Sequence, residues 1–152
     1  VGGKTDSLKF FIFNEPALNT FDETLAEKRC NGNWYITSTA DIPVIPLSEI
    51  LEKHLPTNQK INFFSIDVEG FDLDVLQSND WEKFRPQVVL AETLRSSVED
   101  LLSNPLVQFL HSKGYVVYSK TVNTTFFVDR KALAKRKLIG LSNSSTLETP
   151  ED

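Results

Sequence analysis

Ile61-Asn62-Phe63-Phe64-Ser65-Ile66-Asp67-Val68-Glu69-Gly70-Phe71-Asp72-Leu73-Asp74-Val75-Leu76 is a nearly continuous apolar run that ends in two carboxylates and a glycine. Strands covered on both faces lose the in-out alternation of half-exposed strands and read as solid hydrophobic runs, so Phe63, Phe64 and Ile66 predict a buried strand of a parallel sheet. Asp67 and Glu69 then fall at its carboxyl end, where open α/β sheets place their ligands. Gly70 allows a tight turn into the next element. In that element Asp72 and Asp74 suit the positive end of a helix dipole, while Leu73 and Leu76 point inward.

Working outward, the helix closes near Asn79, Trp81 and Phe84 cover the core, and Arg85-Pro86 introduces a second apolar strand, Gln87-Val88-Val89-Leu90-Ala91-Glu92, which also ends in a carboxylate. Strand, helix and strand at this spacing form a βαβ unit with a right-handed crossover. Ser96-Ser97-Val98-Glu99 fits a capping box ahead of a helical pattern that runs to Gly114. Pro105 interrupts that pattern and predicts a restart with Asn104 as cap. Tyr115–Tyr118 and Thr125–Val128 are two short strands close enough to pair as an antiparallel hairpin. A basic helix follows, carrying Arg130, Lys131, Lys135, Arg136 and Lys137, and residues 142–152 read as a polar, disordered tail.

Upstream, Leu8–Phe13 predicts a strand that Asn14-Glu15-Pro16 breaks. Thr20 or Asp22 can cap a short helix over Leu25, and Asn31-Gly32-Asn33 is a turn before a further strand at Trp34-Tyr35-Ile36. Ile42-Pro43-Val44-Ile45-Pro46 is extended, its prolines excluding a central strand. Ser48 can cap a helix whose apolar stripe is Leu47, Ile50, Leu51 and Leu55, ended by Pro56.

The chain has 152 residues, 40% of them hydrophobic, with 11 Phe. That suffices for one domain, expected over residues 1–140, with 141–152 as tail. A formal net charge of −5 argues against a nucleic-acid partner, which requires a basic surface. The single cysteine, Cys30, excludes an intrachain disulfide framework and fits a cytoplasmic, reducing compartment, where an ordinary partly buried thiol is expected. No apolar segment approaches the roughly 20 residues that span a bilayer, so no membrane partner is expected.

The chemistry is concentrated in Asp67, Glu69 and Glu92, at the ends of two strands that a βαβ unit makes neighbours. Clustered acids repel one another, and they persist where they bind a cation or act on a substrate proton. The plainer reading has Asp67 or Glu69 capping the following helix and Glu92 as a solvated strand end. The sequence leaves both readings open. His54 and His111 have no partner at metal-ligand spacing and read as surface residues, so no metal ligands are assigned. Gly2-Gly3-Lys4-Thr5 resembles the tail of a phosphate loop but lacks its upstream glycine and strand. The basic run at 130–137 reads as a solvated face, and the sequons at Asn123 and Asn143 carry no weight in a cytoplasmic protein.

Ser65-Ile66-Asp67-Val68-Glu69-Gly70, then Asp72-Leu73-Asp74-Val75-Leu76, then Arg85-Pro86-Gln87-Val88-Val89-Leu90-Ala91-Glu92 strongly resemble the FkbM family of S-adenosylmethionine-dependent methyltransferases. The upstream Pro16–Phe21, the Pro46-Leu47 helix start, the Gly114-Tyr115 strand entry and the closing Phe126-Phe127-Val128 follow the same pattern. The resemblance implies an α/β, Rossmann-like class I methyltransferase sheet, incomplete and ending in an antiparallel hairpin. The family's glycine-rich loop after its first strand and the acid after its second strand, which hold the methionine and ribose of the cofactor, have no counterpart here. The resemblance therefore implies the C-terminal half of such an enzyme, with the cofactor-binding strands missing.

The implied activity is methyl transfer from S-adenosylmethionine to a small-molecule, sugar or polyketide hydroxyl. Asp67, Glu69 and Glu92 are then the expected catalytic residues, with Asp67 and Gly70 beside the cofactor. A divalent cation shared by Asp67 and Glu92 is the less favoured version. Two other readings stand beside this one. One is a non-catalytic methyltransferase-like remnant that binds or supports a partner. The other is a metal-dependent glycosyltransferase using Asp67-Val68-Glu69.

Overall fold

The structure, a computed structural model, describes residues 1–68, 70–93 and 97–135. These form two compact units, Val1–Gln59 with Ile66–Arg85, and Lys60–Ser65 with the chain from Pro86 onward.

In the first unit β1 (Asp6–Phe13) pairs antiparallel with β2 (Ile36–Val44), Leu8 opposite Ile42 and Phe10 opposite Ala40. The expected strand at Leu8–Phe13 is present and two residues longer. Trp34 and Tyr35, expected in the next strand, are exposed and precede it. Instead β2 runs unbroken into the segment where prolines were expected to exclude a central strand. Pro43 is tolerated because a two-stranded sheet has only edge strands, so its missing N–H costs no interior ladder bond. Phe11, Phe13 and Ala26 form a small core here, with Leu18 and Ile36 packed against it.

Helix α1 (Glu23–Arg29) is capped by Asp22, whose carboxylate accepts the Leu25 N–H at 3.0 Å. Helix α2 (Leu47–His54) is not capped by Ser48. Pro46 holds the cap position, and the Leu47 N–H donates to Ser78 Oγ at 2.9 Å. Ser48 already lies in the first turn, two residues past the cap position, so its side chain does not reach the donors that a cap satisfies. Helix α3 (Asp72–Gln77) carries Asp72 and Asp74 in its first turn and buries Val75 and Leu76. Trp81 and Phe84 are buried as expected, with the Trp81 indole N–H donating to Leu76 O at 2.9 Å.

The second unit is a four-stranded sheet in the order β3 (Phe63–Ile66), β4 (Val88–Glu92), β6 (Thr124–Asp129), β5 (Tyr115–Lys120). The Gln87 N–H donates to Ile61 O and the Val88 N–H to Asn62 O, both at 3.1 Å. The residue numbers rise together, as they do between strands running the same way. β4 pairs antiparallel with β6, Val89 opposite Phe127 and Glu92 opposite Thr124, and β5 with β6 makes the expected hairpin. One face of the sheet carries the buried Val89, Ala91, Thr125 and Phe127. Tyr115, also buried, donates its hydroxyl proton to Pro86 O at 2.6 Å.

Two expectations change in this unit. β3 is not buried on both faces: Phe63 is 63% exposed and Ser65 is exposed, while Ile66 is buried. Among the described residues β3 is an edge strand, and its burial alternates with period two, the face of Phe63 and Ser65 being left uncovered despite the solid apolar run. The helical pattern from Val98 splits into a 3-10 turn (Asp100–Ser103) and α4 (Pro105–Ser112), the second part as expected. Asn104 Oδ1 accepts the Leu106 N–H at 2.9 Å, with Pro105 in the first turn, where its missing N–H costs nothing. Ser97 Oγ accepts the Asp100 N–H at 3.1 Å and donates to Asp100 Oδ2 at 2.7 Å, a reciprocal pair one residue beyond the expected box. Residues 130–135 are helical. The rest of the basic run and the tail lie outside the described residues.

Candidate functional site

Asp67 follows β3 directly and is exposed. The chain then turns, with the Phe71 N–H donating to Val68 O at 3.3 Å and Gly70 at φ +98°. A side chain is disfavoured there by the backbone alone, because a Cβ added at Gly70 meets nothing within 4 Å. The turn therefore leaves open space at Gly70 itself. Glu69 lies outside the described residues.

The plainer reading of Asp67 as a helix cap does not hold. Helix α3 starts with Phe71 in the cap position, and among the described residues no side chain caps it. Beside the turn, the first unit has a cleft of about 400 Å³ lined by Phe71, Asp74, Gln77, Lys4, Asp6 and Val44, among others. Lys4 Nζ lies 3.1 Å from Asp6 Oδ2. The Ser7 N–H and the Lys4 ammonium together hold the Asp6 carboxyl below its ordinary value of 3.8. The phosphate-loop resemblance of Gly2-Gly3-Lys4-Thr5 has no structural counterpart. A strand follows it, not a helix, and the Gly2 N–H is used by Ile45 O at 3.0 Å.

In the second unit Glu92 is half-buried at the end of β4, on the face opposite Ala91. The next residue, Thr93, is buried and its N–H donates to Asn123 O at 2.8 Å. Thr93 Oγ1 lies 2.7 Å from Thr125 Oγ1 and accepts from Lys120 Nζ at 3.0 Å. The same ammonium donates to Thr93 O and Val122 O, each at 3.2 Å. Sequence reasoning missed this group. Its only signal was polar: Thr93 continues the buried face of an apolar strand, and Thr125 faces it from a strand of aromatics. A cavity of about 550 Å³ in this unit is lined by Gln87, Val88, Tyr118, Phe126, Val128 and Leu133, among others. It lies at the beginning of β4, away from Glu92.

The sequence placed Asp67 and Glu92 at the ends of neighbouring strands, and β3 and β4 are indeed hydrogen-bonded neighbours. Asp67 and Gly70 belong to the first unit and Glu92 to the second. His54 and His111 are exposed in the last turns of their helices. Among the described residues no group of three or more His, Cys, Asp or Glu could hold a metal ion. Cys30 is free and exposed, not partly buried, because it follows the last residue of α1 at the surface. No helix among the described residues is long and apolar enough to cross a membrane.

Comparison with known proteins supplies one match. Residues 3–117, most of the chain, fit the family described as the methyltransferase FkbM domain. No curated protein and no solved structure matches the chain.

Proposed function

We propose, from the premise that this chain belongs to the FkbM methyltransferase family, that it serves methyl transfer to a hydroxyl oxygen of a small molecule, with Asp67 as the proton acceptor. The observation that carries this reading is the exposed Asp67 carboxylate, which follows β3 at an open glycine turn and does not cap α3. A carboxylate in that position is available to a ligand.

The residues at the turn suit S-adenosylmethionine in their chemistry. Asp67 offers oxygen acceptors to hydroxyl or ammonium groups, and Gly70 contributes no side chain to obstruct them. When bound, the cofactor supplies an electrophilic methyl carbon on a sulfonium sulfur. Asp67 would orient the acceptor hydroxyl and take up the proton that methylation of its oxygen releases. Glu69 and Glu92 stay as further candidate catalytic carboxylates, each able to accept a hydrogen bond from an acceptor hydroxyl. We assign the reaction as metal-independent, and we place the protein in the cytoplasm, where an exposed free thiol such as Cys30 is kept reduced.

The test is Asp67→Asn, which keeps the shape and removes the base. Methyl transfer to a hydroxyl acceptor should fall by a factor on the order of 100 or more, the range of general-base contributions. Calorimetric titration with S-adenosylhomocysteine should show that the variant still binds, with a loss of affinity much smaller than its loss of turnover. Unchanged turnover would remove Asp67 from the reaction. Absence of any binding by the wild-type chain would favour the non-catalytic reading.

A further inference from the structure

We infer that Lys120 is a positioning residue for Glu92, acting through Thr93. The inference rests on the proposed role of Glu92, but its physical basis is independent of it. An ammonium has three donors and no acceptor. Those of Lys120 go to Thr93 Oγ1 at 3.0 Å, Thr93 O at 3.2 Å and Val122 O at 3.2 Å. Two of the three therefore grip a single residue, by its side chain and by its backbone.

That residue is the one after Glu92. Along β4 the faces alternate, with Val89, Ala91 and Thr93 buried and Val88, Leu90 and Glu92 half-buried. Because the period is two, whatever holds Thr93 to the buried face holds Glu92 to the other. The regular ladder with β6 ends at the Glu92–Thr124 pair. Beyond it Thr93 is secured by its N–H on Asn123 O, by the Thr125 hydroxyl and by Lys120.

The chemistry of the three acceptors explains why a lysine stands here. The buried Thr93–Thr125 hydroxyl pair has only two protons to share, and Thr93 lies one residue beyond the last ladder pair of β4 with β6. An ammonium satisfies the Thr93 hydroxyl and carbonyl from one point. Its stem comes from the end of β5, and its third bond closes on Val122 in the hairpin turn. The hairpin is thereby tied to the carboxyl end of β4 at the place where a strand end would otherwise fray. Since all three donors are engaged within the protein, the role of Lys120 is to set the direction of its neighbour rather than to contact a ligand.

The experiment compares wild type with Lys120→Met, which keeps the stem, and Thr93→Val, which keeps every charge. Amide exchange should accelerate at least tenfold at Thr93 in both variants while Val89 and Phe127 keep their protection. The Glu92 side-chain carboxyl carbon resonance should move in both variants, by a similar amount in Thr93→Val despite its unchanged charge. In a methyl-transfer assay kcat should fall with KM for the acceptor unchanged. Unaltered Thr93 exchange and Glu92 resonance would overturn the inference, as would an equal loss of protection across the whole sheet. If the wild type transfers no methyl group, the proposed function fails, and the exchange and resonance measurements still decide the role of Lys120.

Discussion

Ser78 Oγ accepts the backbone N–H of Leu47 at 2.9 Å and passes its own proton to Val75 O at 2.7 Å. One hydroxyl thus caps the start of α2 and the end of α3. The Ser78 carbonyl takes the next donor, the Ser48 N–H, at 3.3 Å. The turn after α3 therefore supplies what Pro46, with no suitable side chain, does not.

Replacing Ser78 by Ala should lower stability by about 1 kcal/mol, the usual cost of losing a helix cap. The corresponding change at Ser48 should cost much less, since its side chain does not cap the helix. Urea denaturation of the two variants side by side checks the assignment. Equal losses would mean that the cap has been misplaced.

Gly70 should be intolerant of a side chain for a reason of backbone alone. At φ +98° with open space around it, Gly70→Ala introduces strain without a clash, at a cost of roughly 1–3 kcal/mol. Because the turn follows Asp67 so closely, any relaxation of that strain should appear as weakened binding of S-adenosylhomocysteine. A variant as stable as wild type would show that the turn does not need the left-handed conformation.

The Tyr115 hydroxyl, buried in the second unit, is bonded to a carbonyl that precedes β4. Tyr115→Phe removes the donor and leaves the Pro86 carbonyl without that bond, in a buried position. The loss should be about 1–3 kcal/mol, the penalty of an unsatisfied buried polar group. Denaturant unfolding gives the number, and a change below a few tenths would show that water replaces the tyrosine.

Asp6 sets an acid-side signature. Its folded pKa is depressed, by the Ser7 N–H first and by Lys4 second. A depressed carboxylate contributes stability above its unfolded pKa, and that contribution is lost as pH falls through the lower folded value. Carboxyl-detected NMR titration should place Asp6 below 3.8, and Lys4→Ala should move it only part of the way back, because the backbone donor remains. Exposure of both side chains keeps the effect of the pair on unfolding small.

Much of the fold was legible because it rests on local signals. Asp22 as cap, the restart at Asn104-Pro105, and the hairpin of β5 and β6 all follow from residues within a few positions of one another. The reading failed where the deciding partner is distant in sequence. Ser48 looked like a cap because the hydroxyl that serves α2 comes from 31 positions away. Phe63 looked buried because an apolar run does not say whether both faces of a strand are covered.

The family, the order of strands and helices, and the placement of Asp67 and Glu92 at strand ends can all be read along the chain. These depend on spacing and side-chain type, which the chain carries explicitly. Only the tertiary structure decided that Asp67 does not cap α3, that β3 is an edge among the described strands, and that Lys120 secures the residue after Glu92. Those facts depend on which distant groups meet, and burial makes such meetings obligatory. A buried hydroxyl or carbonyl must find a partner wherever in the chain that partner lies.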